Sequence, residues 1–260
     1  MTPKTGEPGL DSEQFAEMME LVKGSKSVEL KLTIPPESMR AALLALGLDP
    51  LDGQIRLVTF FDTPDLALNK AGVVVRCRRI QGKGADSVVK LRPVVPDDLP
   101  AKLRALETFG IEVDAMPGGF VCSASFKGVA DAATTKLVSF GHAPIRKAFN
   151  KDQRAFYKAH APEGLELDDL SVLGPIFVVK VPFTPVELAH KLVIELWLYP
   201  DGSRILELST KCAPHDLFDV LTNVRRYLVE RGIDRHGEQQ TKTKHALEFF
   251  VKGLEATAAE

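Results

Sequence analysis

The stretch Gly72-Val73-Val74-Val75-Arg76-Cys77-Arg78-Arg79-Ile80, followed a few residues later by Ser87-Val88-Val89-Lys90-Leu91-Arg92-Pro93, decides the fold. Residues two apart on a strand share a face. Each arm therefore has an apolar face, Val75 with Cys77 and Val89 with Leu91, and a cationic one, Arg76 with Arg78 and Lys90 with Arg92. Gly82-Lys83-Gly84 between them supplies a turn, so the two arms read as a β-hairpin. Those glycines lack the third glycine and following helix of a dinucleotide fingerprint.

The same alternation continues outward. Ser27 to Ile34 sets Val28, Leu30, Leu32 and Ile34 against Ser27, Glu29, Lys31 and Thr33; Gln54 to Phe61 reads as a second strand. Asp62-Thr63-Pro64-Asp65 reads as the cap of a short helix, and Pro35-Pro36-Glu37 as the start of another. Beyond the hairpin, strands are predicted at Phe109 to Val113, Phe120 to Phe126, Phe149 to Lys158, Leu165 to Leu167, Ile176 to Val181, Lys191 to Tyr199 and Ile205 to Lys211. A helix is read over Ala130 to Phe140, and Pro200-Asp201-Gly202 is a turn. The end of the chain is helical: Pro214 to Gly232, then a last helix holding Leu247, Phe249 and Phe250.

A chain of 260 residues with 45% hydrophobic content can bury its own core. Its 33 basic and 35 acidic residues nearly cancel, which argues against a nucleic-acid partner and makes any polyanion site local. Cys77, Cys122 and Cys212 are odd in number and widely spaced, unlike a disulfide framework or a zinc site. The start, MTPKTGEPGLDSEQ, has no basic region leading into an apolar run, and no long apolar stretch occurs, so the expectation is a cytoplasmic protein without a membrane partner. There is no HExxH, GxSxG or GxxxxGK[ST] pattern.

Each charged face alone needs no function, because antiparallel sheets commonly face water on one side. Across strands the signs segregate. The hairpin brings cations, while Glu29, Glu195 and Glu207 stand on the first and last strands. If the strands close with charge inside, like charges about 4 Å apart repel by about 4 kcal/mol at an effective dielectric near 20. Such a cluster calls for an anion, and triphosphate suits Arg forks and Lys point charges together.

These residues resemble the CYTH superfamily, the triphosphate tunnel metalloenzymes that include thiamine triphosphatases, inorganic triphosphatases and class IV adenylyl cyclases. Ser27-Val28-Glu29-Leu30-Lys31 resembles the family's Glu-x-Glu-x-Lys strand, and Phe60-Phe61-Asp62-Thr63-Pro64-Asp65 its Tyr-Phe-Asp-Thr-Pro-Asp turn. Gly72 to Arg79 resembles the Gly-x-x-x-Arg-x-Arg strand and Val88 to Arg92 the Lys-bearing strand after it; Lys151 to Tyr157 is similar to the Lys-x-x-Arg-x-x-Tyr strand. The resemblance implies an α+β protein: an eight-stranded antiparallel β-barrel, closed or nearly closed, forming a tunnel with helices packed outside. The organisation expected is a leading extension with a short helix over 1–24, then one tunnel domain over 25–255 with an insertion near 94–148.

The function implied is metal-dependent hydrolysis of a triphosphate, inorganic or organic. Arg76, Arg78, Lys90, Arg92 and Arg154 would bind phosphates, and strand alternation alone adds Arg56 and Lys211 to that basic wall. Glu29, Glu207 and Glu195 would hold Mg²⁺ or Mn²⁺; Lys31 would serve as a phosphate or carboxylate partner or, if its pKa is lowered among those cations, would orient or deprotonate water. Ser27 and Ser209 stand where the family has carboxylates. That departure favours a second reading, a triphosphate-binding module that has lost catalysis, unless Glu195 or Asp168 substitutes as a ligand. A class IV cyclase is a third; Trp197 beside Glu195 is its only candidate base-stacking residue.

Overall fold

The computed structural model describes residues 11–234, 239 and 242–258. In chain order the strands are β1 (Ser27–Ile34), β2 (Gln54–Asp62), β3 (Val73–Ile80), β4 (Gly84–Leu91), β5 (Phe109–Met116), β6 (Gly119–Ala130), β7 (Ser171–Phe183), β8 (Leu192–Leu198) and β9 (Arg204–Cys212). The helices are α1 (Ser12–Lys23), α2 (Met39–Ala45), α3 (Ala67–Lys70), α4 (Ala101–Arg104), α5 (Ala132–Ser139), α6 (Lys151–His160), α7 (Leu217–Glu230) and α8 (Lys242–Ala258).

The strands close into a barrel in the order β1-β5-β6-β4-β3-β2-β7-β8-β9, with β9 antiparallel to β1 at the seam. Nine strands stand where eight were expected, and the barrel is mixed: β1 runs parallel to β5, with Ser27 beside Glu112 and Glu29 beside Asp114. A parallel neighbour needs a long crossover, and here the β2–β4 hairpins intervene. The segment 94–148, expected as an insertion, supplies β5 and β6 to the barrel wall.

Alternation sorts the side chains onto the two surfaces of the barrel. Val28, Leu30, Val75, Cys77, Val89, Leu91, Ile111 and Val113 point outward into a core shared with Met18 and Val22 of α1, Val138 of α5, and Phe156 and Tyr157 of α6. Covering this outer apolar face frees the inner face to carry charge. Asp62 closes β2 as its carboxylate accepts from the backbone N–H of Thr63, Leu68 and Asn69 at 2.7, 2.9 and 3.0 Å, capping α3.

Two expected strands are not strands. Residues 149–158 form α6: Asn150 and Gln153 make a reciprocal capping box, and Gln153, Phe156 and Tyr157 are buried at helical spacing. Residues 165–167 lead into a single 3₁₀ turn, Leu167–Asp169. Gln153 pins α6 to the barrel, since its side-chain N–H group donates to Ser87 O at 2.9 Å and Phe126 O at 3.2 Å and its Oε1 accepts from Ser87 Oγ at 3.0 Å. Gln153→Ala leaves these buried groups short of partners and is expected to lower unfolding free energy by about 1–3 kcal/mol. Urea unfolding followed by circular dichroism measures this, and an unchanged midpoint would show that the anchor is dispensable.

Candidate functional site in the barrel interior

All nine strands contribute to one enclosed cavity of about 420 Å³. Ten Lys or Arg side chains line it against six carboxylates, an excess of four positive charges. The cations concentrate on β2, β3 and β4 with Arg56, Arg76, Arg78, Lys90 and Arg92, and the carboxylates on β1, β5, β8 and β9 with Glu29, Glu112, Asp114, Glu195 and Glu207.

Asp114 organises the junction of the two walls. Its fully buried carboxylate lies 2.9 Å from Lys31 Nζ and 4.0 Å from Lys90 Nζ, and also pairs with Arg92. Burial would raise its pKa, but the fields of Lys31, Lys90 and Arg92 outweigh that and hold it well below the usual carboxylate range. Lys31 is 3.3 Å from Glu29 as well. Its burial is overcome by Asp114, Glu29 and Glu207, so its pKa is raised. Of the two readings of Lys31, the lowered pKa is overturned and the carboxylate partner is what the structure shows: it sits among Asp114 and Glu29 as a charged donor.

The group pushed down is Lys90. Burial, then the neighbouring Arg92, lowers its pKa to about 7. The field of an anion in the cavity opposes both effects and raises the pKa again. Tripolyphosphate binding at pH 8, without metal, is therefore expected to take up close to one proton at Lys90, because the free lysine is mostly neutral there and the bound one charged. Calorimetry in buffers of different ionisation enthalpy reads this uptake, and Lys90→Met should remove it; equal uptake by both proteins would refute the assignment.

The remaining charges form local pairs. Arg78 Nε donates to Asp86 at 3.1 Å, Lys211 pairs with Glu112, and Arg56 donates to Gln54 at 3.2 Å. Arg76 has no carboxylate within ion-pair distance among the described residues, and Arg56 Nε and Arg92 Nε are buried without a hydrogen-bond partner.

Ten of the eleven residues singled out from the sequence line this cavity: Glu29, Lys31, Arg56, Arg76, Arg78, Lys90, Arg92, Glu195, Glu207 and Lys211. Arg154 does not. It lies on α6 outside the barrel, where its guanidinium donates to Phe149 O at 2.9 Å. Asp168 is likewise elsewhere, accepting from Arg146 N at 2.9 Å. Sequence reasoning missed Glu112 and Asp114 on β5, Lys127 on β6, Lys180 on β7 and Lys242 on α8. The signal for the first two was present, since Gly110, Glu112 and Asp114 alternate with Phe109, Ile111 and Val113. The expected strand stopped one residue short.

The predicted metal ligands separate into two groups. Glu29 joins Glu112 and Asp114, with one carboxylate oxygen from each lying within 4.8 Å of the others. Three hard oxygen donors suit Mg²⁺ or Mn²⁺. Ser27 lacks the family's carboxylate, yet its Oγ donates to Glu112 at 3.3 Å, so β5 places a carboxylate beside the position where β1 has none. Glu195 and Glu207 form a second group, joined by Lys242 at 2.6 and 2.7 Å.

The closed barrel with a charged interior and helices packed outside is a CYTH-like fold. Among solved structures, the chain is similar to HpAC1 from Hippeastrum, described as an adenylyl cyclase candidate with a dominant triphosphatase activity: TM-score 0.62, 16% identity, 86% of this chain and 95% of that one. It is also similar to an adenylate cyclase candidate from Bacillus halodurans, with TM-score 0.57, 14% identity, and 85% of this chain and 98% of that one covered. No family model and no curated protein matches the sequence.

Proposed function

We propose that the protein binds a triphosphate-like polyanion inside the barrel and hydrolyses it with Mg²⁺ or Mn²⁺. The observation that carries this reading is the excess of cations in the barrel cavity, with Arg76 lacking a carboxylate within ion-pair distance among the described residues and buried guanidinium N–H groups at Arg56 and Arg92 lacking acceptors. A multiply charged anion with oxygens on every side supplies what they lack. The activity described for HpAC1 supports the same reading.

In this scheme Arg76, Arg78, Lys90 and Arg92 grip phosphate oxygens, and Lys31 directs its ammonium toward the junction with the acidic wall. Glu29, Glu112 and Asp114 would hold a divalent cation, which when bound would supply positive charge against the charge developing in phosphoryl transfer. Water adds to the terminal phosphorus, the P–O–P bond breaks, and orthophosphate and pyrophosphate leave with the water's proton released to solvent or product.

Cyclase chemistry is disfavoured by Trp197. One side of its ring stacks on Phe60, with centroids 6.4 Å apart, and Lys242 Nζ lies 5.1 Å from its centroid. Trp197 is buried in these contacts rather than exposed for stacking on adenine, and among the described residues the neutral side-chain hydrogen-bonding groups of the cavity besides that indole are Ser125 and Thr243. One observation favours the non-catalytic alternative, a polyphosphate-binding module: every interior carboxylate already has a cationic partner. The proposed partner is thus a small phosphate anion and no nucleic acid, in the cytoplasm. No helix among the described residues is long and apolar enough to cross a membrane.

The test is phosphate release from tripolyphosphate with Mg²⁺, with Mn²⁺ and with EDTA, beside tripolyphosphate binding by calorimetry. Metal-dependent release supports the hydrolase. Binding without release moves the assignment to the binding module, and neither result would leave the barrel without a polyanion role.

A further inference from the structure

Glu195 and Glu207 face one another in register on β8 and β9, with Glu207 buried and Glu195 half-buried in the barrel interior. Two carboxylates directly opposed on neighbouring strands repel, and in a desolvated place they need a cation between them. The chain supplies that cation itself. Lys242, the first residue of α8, reaches into the cavity and puts Nζ 2.6 Å from Glu195 Oε2 and 2.7 Å from Glu207 Oε1. Its side chain is only 12% exposed, and Trp197 completes the pocket by donating from Nε1 to Glu195 at 3.3 Å.

The helix that carries this lysine is anchored independently of it. Ala246, Leu247 and Val251 of α8 are buried against Val58, Phe60, Trp197 and Tyr199 of the barrel. Tyr199 also packs on His245 and Phe249, with ring centroids 4.9 and 5.1 Å apart. Lys242 is therefore held at the carboxylates by a packed helix. An ammonium at hydrogen-bonding distance from both acids fills the position a metal ion would take between them. Its pKa is raised, because Glu207 and Glu195 outweigh the desolvation that would lower it, which keeps it charged in place.

We propose that Lys242 is the resident counter-ion of the Glu195–Glu207 pair and keeps divalent cations out of it, so that a barrel with two acidic groups takes metal only at Glu29, Glu112 and Asp114. This rests on the metal-assisted reading above but is separable from it. Docking of the first turn of α8 then becomes part of the site, as a positioning element that sets how many metal ions accompany the polyanion.

The experiment counts Mn²⁺ bound per chain from the electron paramagnetic resonance signal of free Mn²⁺, without substrate. The wild-type protein is expected to bind one ion, Lys242→Met one more than wild type, and Lys242→Met with Glu207→Gln no more than wild type. No gain in a folded Lys242→Met protein overturns the proposal. So does loss of a bound ion in Glu207→Gln alone, a variant that keeps Lys242 and guards against misfolding of the first. A wild-type count of zero with one ion gained in Lys242→Met sinks the reading of the Glu29 group while supporting the counter-ion.

Discussion

Lys90→Ala combined with Arg92→Ala is expected to slow phosphate release from tripolyphosphate by between about 10² and 10⁴ in kcat/KM. The two side chains project from the same face where β4 ends and line the cavity together. A hydrogen bond to a charged group contributes about 1.5–3 kcal/mol, so losing two costs about 3–6 kcal/mol, at about 1.4 kcal/mol per decade of rate. The effects overlap, since both cations face Asp114 and neither acts alone on the anion.

The same change relieves Asp114 of two cations but leaves Lys31 at 2.9 Å, so the barrel keeps a charge-paired junction and should remain folded. Phosphate release and thermal melting should therefore separate: a large kinetic loss with a modest shift in Tm. If the double variant hydrolyses tripolyphosphate at the wild-type rate, the hairpin cations do not hold substrate, and the basic wall is a structural feature only.

Why these cations were readable while others were not follows from how each element forms. On β1, β3 and β4, Glu29 and Lys31, Arg76 and Arg78, and Lys90 alternate with Val, Leu or Cys, and that period assigns them to one face of a strand. Closure of the barrel then brings the inward faces together whatever the order of the strands. Asp114 escaped because its neighbour in space, Glu29, lies on a parallel strand far back in the sequence, and parallel pairing leaves no hairpin signature.

Arg154 was misplaced for the opposite reason. The resemblance of Lys151 to Tyr157 to a family strand placed it inside, but the pattern that decides the segment is the Asn150 cap with Gln153, Phe156 and Tyr157 buried at helical spacing. Lys242 carried no periodic signal, since a helix's first residue is placed by where the rest of the helix packs. Leu247, read from the sequence as part of a final helix, is among the residues that do this packing.

Asp114→Asn is expected to destabilise the protein by about 3–5 kcal/mol, because it removes the one negative charge shared by Lys31, Lys90 and Arg92 and leaves three cations facing one another in a confined space. In a chain of this size that corresponds to a fall in Tm of about 10 °C. The pH dependence has a definite sign. The folded-state pKa of Asp114 is depressed, so its stabilisation is fully present above the ordinary carboxylate pKa of about 4 and is lost as pH falls through the folded value. The gap between wild type and variant should therefore be present at pH 7, be smaller at pH 3, and close only once pH falls below the depressed folded value. Tripolyphosphate supplies the missing negative charge, so in EDTA it should raise the Tm of the Asn variant more than that of the wild type, by mass action on the folded state. Melting curves at pH 7 and pH 3, with and without tripolyphosphate, read both effects. A variant that melts with the wild type, or gains no more from the anion, would mean that Lys31, Lys90 and Arg92 do not depend on Asp114 for their balance, and the cavity would then hold its excess charge by some other arrangement.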